Sequence, residues 1–349
     1  MLGPSATLAG MTDRLRWGIL GTGNIARQFS VGVNASARGT LAAVGSRDAG
    51  KARAFAEAHG IGAVAESYDA LLARDDVDAV YVSLPNSLHH QWTIAALDAG
   101  KHVLCEKPFA VSEAQAAQMF AAADRAGRVL MEAFMYRCHP QTIAVQRAVA
   151  AGAIGMPRLV RTSFCYRTTK IAGNVRFEPS LAGGALMDVG CYCLSFSRVF
   201  LGEPVAGHAT GSVHPTGVDD LVSGTLQYAD GAVATFAAGT GVQAENSAYI
   251  CGDEGYIQVP VPWKPPPGGG EFVIAHSAPP KQDFVSGKAP PPPPREVVKV
   301  DTTGDVYGLE ADDFAASVLD GSPITVTREE TLCVARWLER FRNEIGLGY

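Results

Sequence analysis

Six residues near the start of the chain, Gly21-Thr-Gly-Asn-Ile-Ala26, follow directly on the short apolar run Arg16-Trp-Gly-Ile-Leu20 and open a helix. Few folds accommodate that succession. A strand must stop, turn tightly at Gly21 and re-enter as a helix lying close to its own strand. Gly23 lets a phosphate approach the main chain, and Ala26 lets the helix pack tightly. The free N–H groups and the dipole of such a helix start favour an anion. This is the G-x-G-x-x-A form of the dinucleotide fingerprint, here at the head of a βαβ unit. A Rossmann domain is therefore expected, with Gly21, Thr22, Gly23, Asn24 and Ile25 touching the cofactor.

Later strands bring more residues to the same edge. Thr40 to Val44 ends in Gly45-Ser-Arg-Asp48, about where the ribose-reading residue belongs. An acidic residue there suits NAD, whereas Ser46 and Arg47 suit the 2′-phosphate of NADP, with NAD still possible. Arg47 is otherwise an exposed surface cation. Asp48 is expected to cap the helix of Lys51 to His59, and Lys51 joins the cofactor set. Val77 to Ser83 is another parallel strand, from which Leu84, Pro85 and Asn86 would face the nicotinamide half. Its helix, Gln91 to Ala99, is preceded by His89 and His90. Adjacent histidines point apart and lack a carboxylate, so a supporting role suits them better than a metal, and His89 is kept with the cofactor residues. No His/Cys spacing suggests zinc.

The strand Val103 to Cys105 ends in Glu106-Lys107-Pro108, at the edge where open α/β sheets bind ligands. Alone, Glu106 and Lys107 read as solvated strand-end charges; in company with the fingerprint they become candidates for cofactor binding and chemistry. A helix from Ser112 to Ala126 is ended by Gly127. The stretch Val129 to Arg137 then closes the sheet, with Arg137 as a last cofactor contact.

The rest of the chain has another texture. Leu159 to Tyr166, Gly207 to His214, Leu221 to Tyr228, Ala232 to Ala238, Ala248 to Cys251 and Tyr256 to Val259 alternate as half-buried strands do, and Asp230-Gly231 marks a hairpin corner. Such a run predicts an α/β domain on an open, mostly antiparallel sheet, whose exposed face suits pairing into a homodimer or homotetramer. Trp263 to Gly270 and Pro290 to Pro294 read as surface loops, with polyproline recognition as the alternative. Helices return at Leu309 to Leu319 and Arg328 to Glu344, where Trp337, Leu338 and Phe341 form a packing stripe. With 349 residues, two domains are expected: an NADP-binding unit at 14–137 and a substrate and oligomerisation unit at 138–349, whose last helices pack back on the first.

A net charge of −6 and the lack of a basic stripe argue against a nucleic-acid surface and for a small-molecule partner. No uninterrupted apolar run approaches the ~20 residues of a membrane span, and the one after Gly183 is broken by Asp188. The seven cysteines are odd in number and scattered, as reduced thiols of a cytoplasmic protein would be. Met1 to Thr12 lacks the features of a secretory signal, and Met11 is an expected alternative start.

Leu181-Ala-Gly-Gly-Ala-Leu-Met-Asp-Val-Gly-Cys-Tyr192 falls between the two domains. Asp188 and Tyr192 are four apart, which puts both on one face of a predicted helix. Backbone partners for the two are one reading. The other is a phenol and a carboxylate turned together into a site, since either is costly to bury without a partner.

The fingerprint, the Glu106-Lys107-Pro108 signature and the Gly183-Gly184…Asp188…Tyr192 segment together resemble the glucose–fructose oxidoreductase and inositol dehydrogenase (Gfo/Idh/MocA) superfamily over nearly the whole chain. The branch it most resembles contains dimeric dihydrodiol dehydrogenase, NADP-dependent xylose dehydrogenase and aldose oxidoreductases. Those carry tyrosine where inositol dehydrogenases carry histidine, and Tyr192 occupies that place. Met135 stands where the branch usually has an aromatic residue, so the substrate wall is expected to differ.

The resemblance implies NADP-dependent hydride transfer to or from a sugar or related polyol, in the manner of an aldose dehydrogenase. Tyr192 would be the acid/base. Since a free phenol with a pKa near ~10 is a weak base, Lys107 would depress that value and hold the substrate oxygen. Asp188 would bind a neighbouring hydroxyl, and Arg176, otherwise an exposed loop arginine, would share the cleft. Other readings are an aldose–aldose oxidoreductase that retains NADP, an anhydrofructose or keto-sugar reductase, and a catalytically silent NADP- or sugar-binding regulator.

Overall fold

The computed structural model describes residues 14–276 and 294–348. Met11 and most of the Pro290 to Pro294 run lie outside them. The first unit alternates β1 (Leu15–Leu20), α1 (Asn24–Ala35), β2 (Gly39–Gly45), α2 (Ala49–His59), β3 (Ala63–Ala65), α3 (Tyr68–Leu72), β4 (Ala79–Val82), α4 (His89–Asp98), β5 (His102–Glu106), α5 (Glu113–Ala126) and β6 (Leu130–Ala133). The six strands are parallel in the order β3-β2-β1-β4-β5-β6, the doubly wound arrangement whose switch point lies between β1 and β4. Local chemistry sets the boundaries. Asp48 accepts from the Lys51 N–H at 3.0 Å to start α2, Ser112 caps α5, and Gly127 ends α5 with φ of 60°.

Beyond β6 come α6 (Pro140–Ala150), β7 (Pro157–Cys165), a π-helical turn at Leu186–Gly190 that runs into α7 (Cys191–Leu201), and the strands β8 (Pro204–Val213), β9 (Asp219–Tyr228), β10 (Val233–Gly239), β11 (Ala248–Gly252), β12 (Gly255–Val259), β13 (Gly269–His276) and β14 (Arg295–Asp301). The chain closes with α8 (Val306–Leu319) and α9 (Arg328–Glu344). These eight strands form one open sheet in the order β14-β13-β12-β11-β7-β10-β9-β8. Every neighbouring pair is antiparallel except β7 with β10, so the sheet is mixed. The last two strands were hidden because Gly269 and Gly270, read as loop, begin β13.

One face of this sheet is covered by α7 and α9, with Phe236 of β10 against Phe341 of α9 at 5.6 Å between ring centroids. Along β9 the other face presents Leu221, Ser223, Thr225 and Gln227, all exposed. The stretch Pro179–Leu201, 23 residues long, is apolar enough by length and composition to cross a bilayer, although Asp188 interrupts its apolar run as the sequence predicts. It is mostly buried beneath the sheet and carries Asp188, which makes it the core segment of the second unit. All seven cysteines are free thiols, six of them buried.

The last helices seal the first unit. Trp17 of β1 is fully buried between Phe29 of α1, at 5.1 Å between centroids, and Phe314 of α8, at 5.3 Å. The helices α1 and α8 cross backbone to backbone: a Cβ on Gly32 would come within 2.5 Å of the Gly308 nitrogen. A side chain there must part the helices. Gly32→Leu is therefore expected to cost at least about 1–3 kcal/mol, the usual range for overpacking, read as a lowered Tm in a thermal melt.

Candidate active site

The ends of β1, β2, β4 and β5 open into a cavity of about 1140 Å³ between the two units. Gly21, Thr22, Gly23, Asn24 and Ile25 form its floor. Gly23 starts α1 with no side-chain cap, the first turn carries no acidic residue, and nothing lies within 4 Å of where a Gly23 Cβ would stand. Free helical N–H groups with open space beside them are the donors a pyrophosphate needs, so the residues present fit a dinucleotide. Ser46, Arg47 and Lys51 line the end of the cavity beyond β2, where the Tyr68 phenol, pushed up by burial, faces the Arg47 guanidinium. Leu84, Pro85 and Asn86 line the other side, and Asn86 donates to the Ala182 carbonyl at 2.8 Å across the cavity.

Two predicted cofactor contacts are not among the lining residues. His89 is fully buried, with its ring nitrogens 2.9 Å from the Pro108 carbonyl and 2.8 Å from that of Leu84. It fastens the loops after β4 and β5 to each other instead of touching the cavity, and burial lowers its pKa although both carbonyls favour the cation. His90, by contrast, points outward to Gln118. Arg137 is the second residue placed away from the cavity lining. The strand β6 ends at Ala133, and a 3₁₀ turn at Met135–Cys138 swings the buried Arg137 towards the C-terminal helices, where it pairs with Glu330 at 3.0 Å and reaches the Thr325 carbonyl.

On the wall opposite α1 a charged cluster surrounds Asp188. Its carboxylate receives the Tyr166 hydroxyl at 2.6 Å, Nε of Arg176 at 2.7 Å and Nζ of Lys107 at 3.3 Å, and the Lys107 ammonium also reaches the Asp188 carbonyl at 2.7 Å. Burial pushes the carboxyl up, yet Lys107 and Arg176 outweigh it and hold Asp188 at about 2. Burial likewise pulls Lys107 down, but Asp188, together with Cys191 and Glu106, more than offsets it, so the ammonium lies above its ordinary value. The paired glycines explain how Arg176 arrives there. A Cβ on Gly183 would come within 2.5 Å of the Arg176 carbonyl, so only glycine lets that turn pack so close.

Tyr192 is buried on the same wall, with its hydroxyl donating to Met135 Sδ at 3.3 Å, a weak acceptor. The π turn before it inserts an extra residue into the helical repeat; Asp188 sits in that turn and Tyr192 in the first turn of α7, and both still line the cavity. Lys107 stands over the phenol ring, 5.1 Å from its centroid. The expected depression of the tyrosine pKa is not found. Burial first, and then the carboxylate of Glu106, push it well above its ordinary value. Glu106 itself is buried, bonded by the Tyr81 hydroxyl and the Lys107 N–H, and raised by burial.

Sequence reasoning missed Tyr166, Phe164, Trp263, Lys264, Tyr307 and Gln28, all of which line the cavity. Phe164 and Tyr166 lay in view at the end of a predicted strand. Trp263 and Lys264 were hidden in a stretch read as a surface loop, although a tryptophan is an unusual loop residue; it is buried and stacks on Phe164 at 5.7 Å between centroids.

A doubly wound nucleotide-binding unit facing a mixed sheet, with an uncapped helix start opposite a lysine, an aspartate and a tyrosine, defines a dinucleotide-dependent oxidoreductase. The chain belongs to the Gfo/Idh/MocA oxidoreductase family with its NAD-binding Rossmann fold, whose profile matches residues 15–134, while the family's C-terminal domain matches residues 142–258. It is 44% identical to D-xylose 1-dehydrogenase (NADP(+)) 2 of Haloferax volcanii over 221 residues, 63% of this chain and 68% of the relative. KijD10, a 3-ketoreductase from Actinomadura kijaniata solved with NADP and TDP-benzene, superposes with a TM-score of 0.82 at 30% identity, covering 95% of this chain and 98% of that one. The aldose-aldose oxidoreductase from Caulobacter crescentus, solved with glycerol, gives a TM-score of 0.82 at 30% identity over 95% of this chain and 97% of that one.

Proposed function

We propose that this protein is an NADP-dependent sugar or polyol oxidoreductase in which Tyr192 carries the proton and Lys107 holds the reacting oxygen. The observation that carries the reading is the convergence of Lys107, Asp188 and Tyr192 on one wall, facing the uncapped start of α1 across a single cavity. Bound NADP supplies or takes the hydride. The chain's own residues then manage the oxygen. With its pKa raised, the Tyr192 phenol keeps its proton at neutral pH and gives it to the alkoxide that forms as a carbonyl is reduced. Lys107, fixed by Asp188, offers its remaining N–H donor to the same oxygen and stabilises the developing charge. Asp188 keeps Lys107 charged and in place, and Arg176 and Tyr166 complete its partners. Met135 and Trp263 supply apolar substrate walls.

The cross-cavity bonds Asn86 to Ala182 and Lys264 to Gln28 favour the second reading, a sugar-to-sugar enzyme that keeps its nucleotide. The exposed sheet face is proposed to pair subunits.

The test follows nicotinamide absorbance with purified protein, NADP(H) or NAD(H), and a panel of aldoses, keto-sugars, inositols and dihydrodiols in both directions. Turnover with NADP and one class of sugar supports the reading; absence of turnover in both directions, with no nucleotide retained in the purified protein, overturns it. Arg47 decides the coenzyme. Arg47→Ser is expected to weaken NADP binding about 10- to 100-fold, the worth of one charged contact to a phosphate, with little change for NAD, as measured by titration calorimetry. Equal loss for both would remove Arg47 from that role.

A further inference from the structure

Lys264 differs from the other lysines of the cavity. It rides on the loop between β12 and β13, whose base is fixed: Trp263 is buried with its indole N–H donating to the Ser163 carbonyl at 2.9 Å, and Pro262 and Pro265 are buried on either side. From there the exposed lysine crosses to the first unit. Its ammonium donates to Oε1 of Gln28 and stands 5.3 Å from the centroid of the Tyr307 ring. Gln28 is one turn along α1 from Asn24, so a full positive charge is held beside the start of that helix.

That placement is electrostatically unfavourable as it stands. A helix start carries about half a positive charge, and a cation near it is opposed unless an anion lies between them. Among the described residues none does so. The first turn of α1 has no acidic residue, and no carboxylate pairs with Lys264, whereas Lys51 pairs with Asp48 and both Lys107 and Arg176 with Asp188. An amide oxygen and an aromatic face hold the ammonium without neutralising it. A multiply charged anion seated at the fingerprint would supply the opposing charge.

We propose that Lys264 is the counter-cation for the pyrophosphate of the bound dinucleotide and, because it reaches over from the second unit, that it sets how fast the dinucleotide leaves. This rests on the reading of the cavity as an NADP site but on no particular sugar. Lys264 is a binding and retention residue, outside the proton-carrying group.

The test is stopped-flow release of NADPH from the full-length protein, chased with excess NADP and followed by NADPH fluorescence, for wild type, Lys264→Met and Lys264→Arg over a range of salt concentrations. Lys264→Met is expected to release NADPH about tenfold faster, the factor that ~1.4 kcal/mol of a charged hydrogen bond carries, and to show a shallower salt dependence of affinity. Lys264→Arg is expected to stay close to wild type. Unchanged release with an unchanged salt dependence overturns the proposal. So does faster release with the wild-type salt dependence, which would make Lys264 a packing residue. Thermal melts matching wild type show that the variants are folded. No sugar enters the assay, so a failure to find a substrate leaves its result intact.

Discussion

Tyr192→Phe is expected to lower kcat at least about 100-fold, the lower end of what a positioned acid contributes, while NADP binds as in the wild type. The substitution removes one heavy atom, whose partner is the weak acceptor Met135 Sδ at 3.3 Å. The ring keeps its edge-on contacts with Phe134, at 5.4 Å between centroids, and Phe164, at 5.3 Å, so the fold should lose no more than about 1 kcal/mol. Stability and rate should therefore separate cleanly. The raised pKa adds a sign: the rate of carbonyl reduction should hold across neutral pH and fall only in alkali, as the phenol loses its proton. A Tyr192→Phe enzyme with near wild-type kcat would transfer the acid's role elsewhere.

Lys107→Met should be more damaging, because the lysine serves both the chemistry and the wall that holds it. The rate is expected to fall about 10²- to 10³-fold through loss of a fixed charged donor. Breaking a buried ion pair by removing one partner commonly costs ~3–5 kcal/mol, but Arg176 and Tyr166 still hold Asp188, so the loss here should be smaller, about 2 kcal/mol. The double variant Lys107→Met/Asp188→Asn separates the two roles. With no carboxylate left short of a partner, it should recover part of the stability in a chemical denaturation curve and none of the rate. Recovery of rate would mean that Lys107 acts only by neutralising Asp188.

The parts of the site that were legible in the sequence are those where local chemistry forces the outcome. Gly21 to Ala26 permits few geometries, and a strand end at Lys107 has a fixed address in a doubly wound sheet. Arg137 lies away from the cavity lining because β6 ends several residues earlier than its sequence suggests, and a short turn after Ala133 redirects everything beyond it. His89 lies away from the cavity lining because the carbonyls of Leu84 and Pro108 claim its ring, and the second of these comes from another loop and has no local signal. The phenol of Tyr192 was expected to be acidified by a nearby lysine, but proximity in a motif does not specify which part of the ring the ammonium meets, nor how deeply the hydroxyl is buried. Lys264 was invisible for a related reason: a proline- and glycine-rich stretch has no periodicity to place it, and only the packing of Trp263 turns it towards the cavity.

The seal of Trp17 by Phe314 has a consequence for how the chain is made. The face of β1 leaves the ribosome well ahead of the helix that covers it. About 300 residues separate the two, which at ~5–20 residues per second is about 15–60 s of synthesis. Throughout that interval an indole destined for complete burial lacks one of its two covers, and the nucleotide-binding half waits, unfinished, for a helix about 300 residues behind it.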